Sequence, residues 1–196
     1  ARLIAIVLGM YVIAQTILKP GDEMIVFDPV DYLFAKSCEK AGATPVLYPC
    51  NLRANGSIDM SALESYITPK TRMIGLCNPH NPLGKLYPKE DLQLMLDLAE
   101  KHDLYIMNDE IWSDIVFQPN KFLSILSVDP AKNHRVLSVY GFSKAFSIAG
   151  LRAGCIYCST QDMFDRLVDA ADVMTTAGGI PAVSQIAIQL CMDKCY

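Results

Sequence analysis

The sequence is poor in charge and has no surplus of positive charge. Charged residues make up 19% of the 196, with 17 lysines and arginines against 21 aspartates and glutamates, for a net charge of −4. A protein that tracks a phosphate backbone needs a basic face, so nucleic acid is not an expected partner. No apolar run is long enough to span a bilayer. The longest, Leu3–Ala14, stops short of the required length and runs into Lys19-Pro20-Gly21-Asp22 without a small-residue cleavage pattern. It reads as a buried helix, neither a membrane anchor nor a signal peptide.

There is no disulfide framework either. The seven cysteines are odd in number and scattered, which points to free thiols in a reducing cytoplasm. A metal site is not expected. Cys155 and Cys158 have the spacing of half a zinc site but fall on a predicted strand, where residues three apart face opposite ways. Cys191 and Cys195 fall on a predicted helix with no histidine nearby. Asn55-Gly56-Ser57 is a glycosylation sequon in form, read here as a turn. Repeats, low-complexity tracts and composition breaks are missing too, so residues 1–196 are expected to form a single domain.

What is present is a generous supply of core. Apolar residues reach 52%, enough for one domain of this length to bury a sizeable interior. Helices are expected at Leu3–Leu18, Tyr32–Ala41 (closed by Gly42), Ser61–Tyr66, Pro88–His102, Asp162–Val173 and Val183–Met192. Strands are expected at Met24–Phe27, Thr44–Tyr48, Arg72–Cys77, Asp103–Met107, Val136–Val139 and Gly154–Tyr157. These strands lack polar alternation, and most are separated by helices. The fold class expected is therefore α/β, a mostly parallel sheet with helices on both faces.

In such sheets ligands gather at the carboxyl ends of the strands. Three polar clusters fall there: Asn78–Gly84, Asn108–Asp109 and Tyr140–Arg152. The third, YGFSKAFSIAGLRAG over Tyr140–Gly154, holds Lys144 and, eight residues on, Arg152. A lysine at the end of a buried strand is costly unless something binds it or keeps it neutral, and a neutral amine attacks carbonyls. A guanidinium in a glycine-punctuated loop suits a phosphate dianion. Together they describe a site for an aldehyde bearing a phosphate, and pyridoxal 5′-phosphate is the candidate. Asp109, following an apolar strand, would pair with a protonated pyridine nitrogen. Asn81, in a proline-braced turn, would donate to the ring's phenolate oxygen. Trp112 would close over the same pocket. Each has a plainer alternative: a solvated Lys144, an Arg152 paired with a helix carboxylate, a helix-capping Asp109, an Asx-turn at Asn81, a core Trp112.

NPHNPLGK (Asn78–Lys85), NDEIW (Asn108–Trp112) and GFSKAFSIAGLRAG (Gly141–Gly154), with PGDEMIVFDP (Pro20–Pro29), resemble the signature blocks of fold-type I pyridoxal-phosphate enzymes of the class I/II aminotransferase group. The resemblance implies that Lys144 carries the internal aldimine and then moves the substrate's α-proton. It implies that Asp109 holds the pyridine nitrogen, Asn81 the phenolate oxygen and Arg152 the phosphate, with Trp112 and Ser143 in the cofactor-binding set. The Asp109–Asp114 block looks most like the cystathionine β-lyase or C–S lyase branch, with an aminotransferase or a catalytically incomplete remnant as alternatives. Leu83 and Gly141 stand where aminotransferases of the group commonly have threonine and serine, and Trp112 where they have tyrosine. The loss of a serine at Gly141 removes one expected phosphate contact. A phosphate-binding glycine loop expected near Ala5 is missing, and the substrate-carboxylate arginine would lie beyond Tyr196. The chain is thus expected to be the large-domain core of a longer, homodimeric, cytoplasmic enzyme acting on small amino acids. The dimer is also expected because Leu3–Leu18 is apolar nearly all round.

Overall fold

The computed structural model describes residues 2–3, 6–172 and 180–194. Its elements are β1 (Arg2–Leu3), α1 (Ile6–Ile17), β2 (Glu23–Asp28), α2 (Leu33–Lys40), β3 (Thr44–Pro49), β4 (Thr71–Cys77), α3 (Lys89–Lys101), β5 (Tyr105–Asp109), β6 (Val136–Gly141), α4 (Phe142–Ala145), β7 (Gly154–Tyr157), α5 (Gln161–Ala171) and α6 (Ala182–Lys194). The strands form one sheet in the order β1-β7-β6-β5-β4-β2-β3. From β3 through β6 every pairing is parallel, whereas β7 runs antiparallel to β6 and β1 antiparallel to β7. The expected α/β class is met.

Two cores account for the unbroken apolar strands. Alternate strand residues Met24, Val26, Met73, Met107, Leu137 and Val139 meet α1, α2 and α5 through Met10, Ile13, Phe34, Cys38, Met163 and Leu167. Their neighbours Ile25, Phe27, Ile74, Leu76, Ile106 and Val136 meet α3 through Leu92, Met95, Leu96 and Ala99. With both faces buried, polar alternation has no reason to appear. Each such valine, leucine, isoleucine, phenylalanine or methionine side chain contributes about 1.5–3 kcal/mol on leaving water. Gly75 lies under Phe34 of α2: an added Cβ would stand 2.6 Å from the Phe34 ring and 2.9 Å from the Met24 methyl.

Some boundaries differ from expectation, each for a local reason. Leu3 belongs to β1, and α1 starts at Ile6. α1 buries Met10, Val12, Ile13 and Ala14 against the sheet, α2 and α5, while Leu8 stays 41% exposed. The expected strand start at Asp103 is instead the close of α3. Asp103 takes a left-handed conformation, φ 56°, and the Leu104 N–H donates to the Ala99 carbonyl at 2.8 Å, a Schellman-type ending. β5 therefore begins at Tyr105 and takes in Asn108 and Asp109. The expected Ser61–Tyr66 helix is a 3-10 turn over Leu63–Tyr66. Asn55-Gly56-Ser57 is a turn, its Asn55 Oδ1 accepting from the Ser57 N–H at 3.0 Å. Val173 and Cys195 lie outside the described residues, as does Ala5.

Candidate active site

A cavity of about 240 Å³ opens at the carboxyl end of the parallel strands. All six residues singled out in the sequence, Asn81, Asp109, Trp112, Ser143, Lys144 and Arg152, line it, with Asp31 and Cys77. They come from four places along the chain: past the end of β2, the end of β4 and its following turn, the end of β5 with its loop, and the stretch between β6 and β7 that holds α4.

Asp109 ends β5, paired with Cys77 on one side and Val139 on the other. Its Oδ1 accepts from the Ile111 N–H at 3.0 Å. It braces a turn and caps no helix, since no helix follows until Phe142 apart from two 3-10 segments. Burial is the largest influence on its carboxyl, and the charges of Asp31 and Glu110 act in the same direction. Against the Ile111 N–H they push its pKa up from 3.8 to about 7. No lysine or arginine among the described residues forms an ion pair with it. A buried carboxyl without a cation, facing a cavity, matches what a protonated pyridine nitrogen needs.

Asn81 sits on the turn after β4. That turn is closed by the His80 N–H donating to the Lys85 carbonyl at 2.8 Å and the Gly84 N–H donating to the His80 carbonyl at 2.7 Å, with Gly84 at φ 63°. His80 is buried, its Nε2 2.8 Å from the Pro29 carbonyl and its Nδ1 2.8 Å from the Tyr87 hydroxyl. Facing a carbonyl, Nε2 must donate, so in the neutral ring Nδ1 accepts from Tyr87. Burial holds the His80 pKa below its ordinary value, which favours that neutral ring. The Asn81 Nδ2 donates to Asp31 Oδ2 at 3.2 Å, and its backbone N–H points to the Cys77 sulfur at 3.5 Å. The Cys77 thiol is buried, and burial raises its pKa well above the ordinary range, so it is a wall and not a nucleophile.

Lys144 and Ser143 lie on α4. Lys144 is exposed, whereas the sequence reading places it at the end of a buried strand. Its Nζ rests 4.7 Å from the centroid of the Trp112 ring, a contact worth about 0.5–1 kcal/mol at an exposed position. Trp112 thus parks the lysine at the cavity mouth. Arg152 is exposed with a left-handed backbone, φ 52°, at the end of a 3-10 turn. The carbonyl of its neighbour Leu151 accepts from the Ser184 hydroxyl of α6 at 2.7 Å. No carboxylate among the described residues forms an ion pair with Arg152. Its fork remains available to an oxyanion.

Residues 9–193 match the family described as aminotransferase class I and II. This chain belongs to the aminotransferase class I and II family. Among curated relatives, the alanine aminotransferase of Mycobacterium tuberculosis is 39% identical over 140 residues, 71% of this chain and 32% of its own length. The aspartate aminotransferase of Musicola paradisiaca is 31% identical over 182 residues, 89% of this chain and 45% of its own. Among solved structures, cystalysin of Treponema denticola, which contains a pyridoxal 5′-phosphate cofactor, superposes with a TM-score of 0.91 at 25% identity. That match covers 99% of this chain and 50% of the other. The chain therefore spans less than half the length of these curated relatives.

Sequence reasoning missed Asp31 and Cys77. Asp31 stands three residues past the carboxyl end of β2, the location that drew attention to the other clusters, and the Asp28-Pro29 strand stop hid it.

Proposed function

We propose that this chain is the pyridoxal-phosphate-binding core of an enzyme acting at the α-carbon of amino acids. The observation that supports this most directly is the convergence of Lys144, Asp109, Asn81 and Arg152 on one cavity. When bound, the cofactor supplies an aldehyde for amines and a ring that accepts the electron pair left at the α-carbon. The Asp109 carboxylate would hold a proton at the pyridine nitrogen, charge against charge in a buried place. The Asn81 Nδ2 would donate to the ring oxygen. Arg152, with the Ser143 hydroxyl, would bind the phosphate. The Lys144 Nζ would leave the Trp112 face, engage the aldehyde, and then carry the α-proton.

For the whole protein we propose transamination first, because the curated relatives of 31–39% identity described above are aminotransferases. The second reading is β-elimination from an L-cysteine thioether such as cystathionine. It rests on the Asp109–Asp114 block, on Trp112, and on the likeness to cystalysin, a C–S lyase. We further propose that residues 1–196 act as one domain and that the enzyme is a homodimer with small amino-acid substrates.

The full-length protein, loaded with pyridoxal 5′-phosphate, decides between them. An aminotransferase converts L-alanine or L-aspartate with 2-oxoglutarate and yields glutamate. A lyase releases pyruvate from L-cystathionine with no oxo acid added. Lys144→Ala should abolish both activities and leave the cofactor removable by dialysis, with the fold intact by circular dichroism. A variant that keeps turnover would refute the assignment of Lys144.

A further inference from the structure

Asn81 could present either end of its amide to the cavity, since the oxygen and the NH₂ are nearly isosteric. The neighbouring Asp31 removes that freedom. As a carboxylate it only accepts, so the amide must turn its NH₂ toward it, and the contact is Nδ2 to Oδ2 at 3.2 Å. An NH₂ has two protons. One is spent on Asp31, and the second remains for whatever occupies the cavity. Asp31 is itself held on two sides: its Oδ1 accepts from the Leu33 N–H at 3.0 Å, and its own N–H donates to the Asn81 carbonyl at 3.1 Å. Backbone and side chain therefore tie the loop after β2 to the turn after β4 at a single point, beside two paired parallel strands.

We propose that Asp31 is a positioning residue that fixes Asn81 as a hydrogen-bond donor toward the cofactor's ring oxygen. This rests on the reading of the cavity as a pyridoxal-phosphate site. The titratable and charged side chains around Asn81 are Asp31, Asp109, Cys77, Lys144 and Arg152 on the cavity wall, with His80 adjoining in the same turn. Of these, Asp31 hydrogen-bonds the Asn81 side-chain amide.

Two measurements on the full-length protein test the proposal. In the loaded enzyme, donation to the ring oxygen favours the cofactor form with one proton fewer. Removing the donor should therefore raise the midpoint of the cofactor's pH-dependent absorbance change. Asp31→Ala should raise it by about one pH unit, the worth of one hydrogen bond to a charged group. Asn81→Ala should do the same, and the double variant should move it no further, because the two residues act as a unit. Asp31→Asn, whose carbonyl can still accept, should recover part of the wild-type midpoint. An unchanged midpoint in Asp31→Ala, or shifts that add in the double variant, would overturn the proposal.

The second measurement needs no cofactor. In protein labelled with ¹⁵N-asparagine, the Asn81 side-chain amide pair, identified by its loss in Asn81→Ala, should exchange slowly with water. In Asp31→Ala it should exchange faster, and an exchange rate equal to wild type would also refute the link. If the wild-type protein takes up no pyridoxal phosphate, the functional reading fails, while the exchange experiment still decides whether Asp31 holds Asn81.

Discussion

Asp109 shows a side chain kept at a cost to the fold. A carboxyl whose pKa rises from 3.8 to about 7 on folding takes up a proton in the native state between those values. Through that window the folded chain binds more protons than the unfolded one, so stability falls as pH rises, and the deficit persists above pH 7. The loss amounts to roughly 4 kcal/mol. Asp109→Asn should therefore stabilise the cofactor-free, full-length protein, with a gain that grows from pH 4 to pH 8. Turnover of the loaded enzyme should fall on the order of 10²-fold or more, since a neutral amide no longer stabilises a charged ring. Thermal unfolding across pH, set beside steady-state rates, checks both halves. A stability gain independent of pH would show that burial of charge is not what Asp109 costs. The sequence made this residue legible because an acid directly after an apolar strand conflicts with its surroundings. It could not show Asp31's role, because the partner that gives it meaning, Asn81, lies fifty residues away.

At the scale of elements, the parallel core was readable and the antiparallel edge was not. A four-residue buried strand such as β7 reads the same in either direction, and with both faces covered it has no polar alternation to orient it. β1, two residues long, falls below any pattern at all. Gly75 is likewise silent in the sequence, a glycine inside a strand, yet it sets how near α2 approaches. Gly75→Ala would press a methyl into the Phe34 ring at 2.6 Å, and Phe34 is fully buried. We expect a loss of about 1–3 kcal/mol, the usual range for an overpacked core. α2 also begins beside Asp31 and Leu33, which line the cavity, so pushing it outward should weaken cofactor affinity too. Denaturant titration of the variant, with cofactor binding measured at equilibrium, tests the coupling. Lost stability with unchanged affinity would confine Gly75 to packing.

Across the whole molecule, apolar surface lies where the chain's own elements do not cover it. α1 buries most of its apolar side chains and leaves Leu8 exposed, and α6 shows Val183, Ile186 and Leu190 to solvent on a helical stripe. Phe117 is 82% exposed on the loop after β5, close to Ile115. Among the described residues no helix is long and apolar enough to cross a membrane. Scattered surface hydrophobics are ordinary, but a stripe on one helix face is a driving force for association. The 196-residue chain in isolation should therefore self-associate at micromolar concentration. Replacing Ile186 and Leu190 together by glutamate should shift it toward monomer without lowering its melting temperature, because neither side chain is part of the core. Light scattering with and without the substitutions measures this. A wild-type chain that stays monomeric at high micromolar concentration would mean that the stripe is too small to hold two surfaces together.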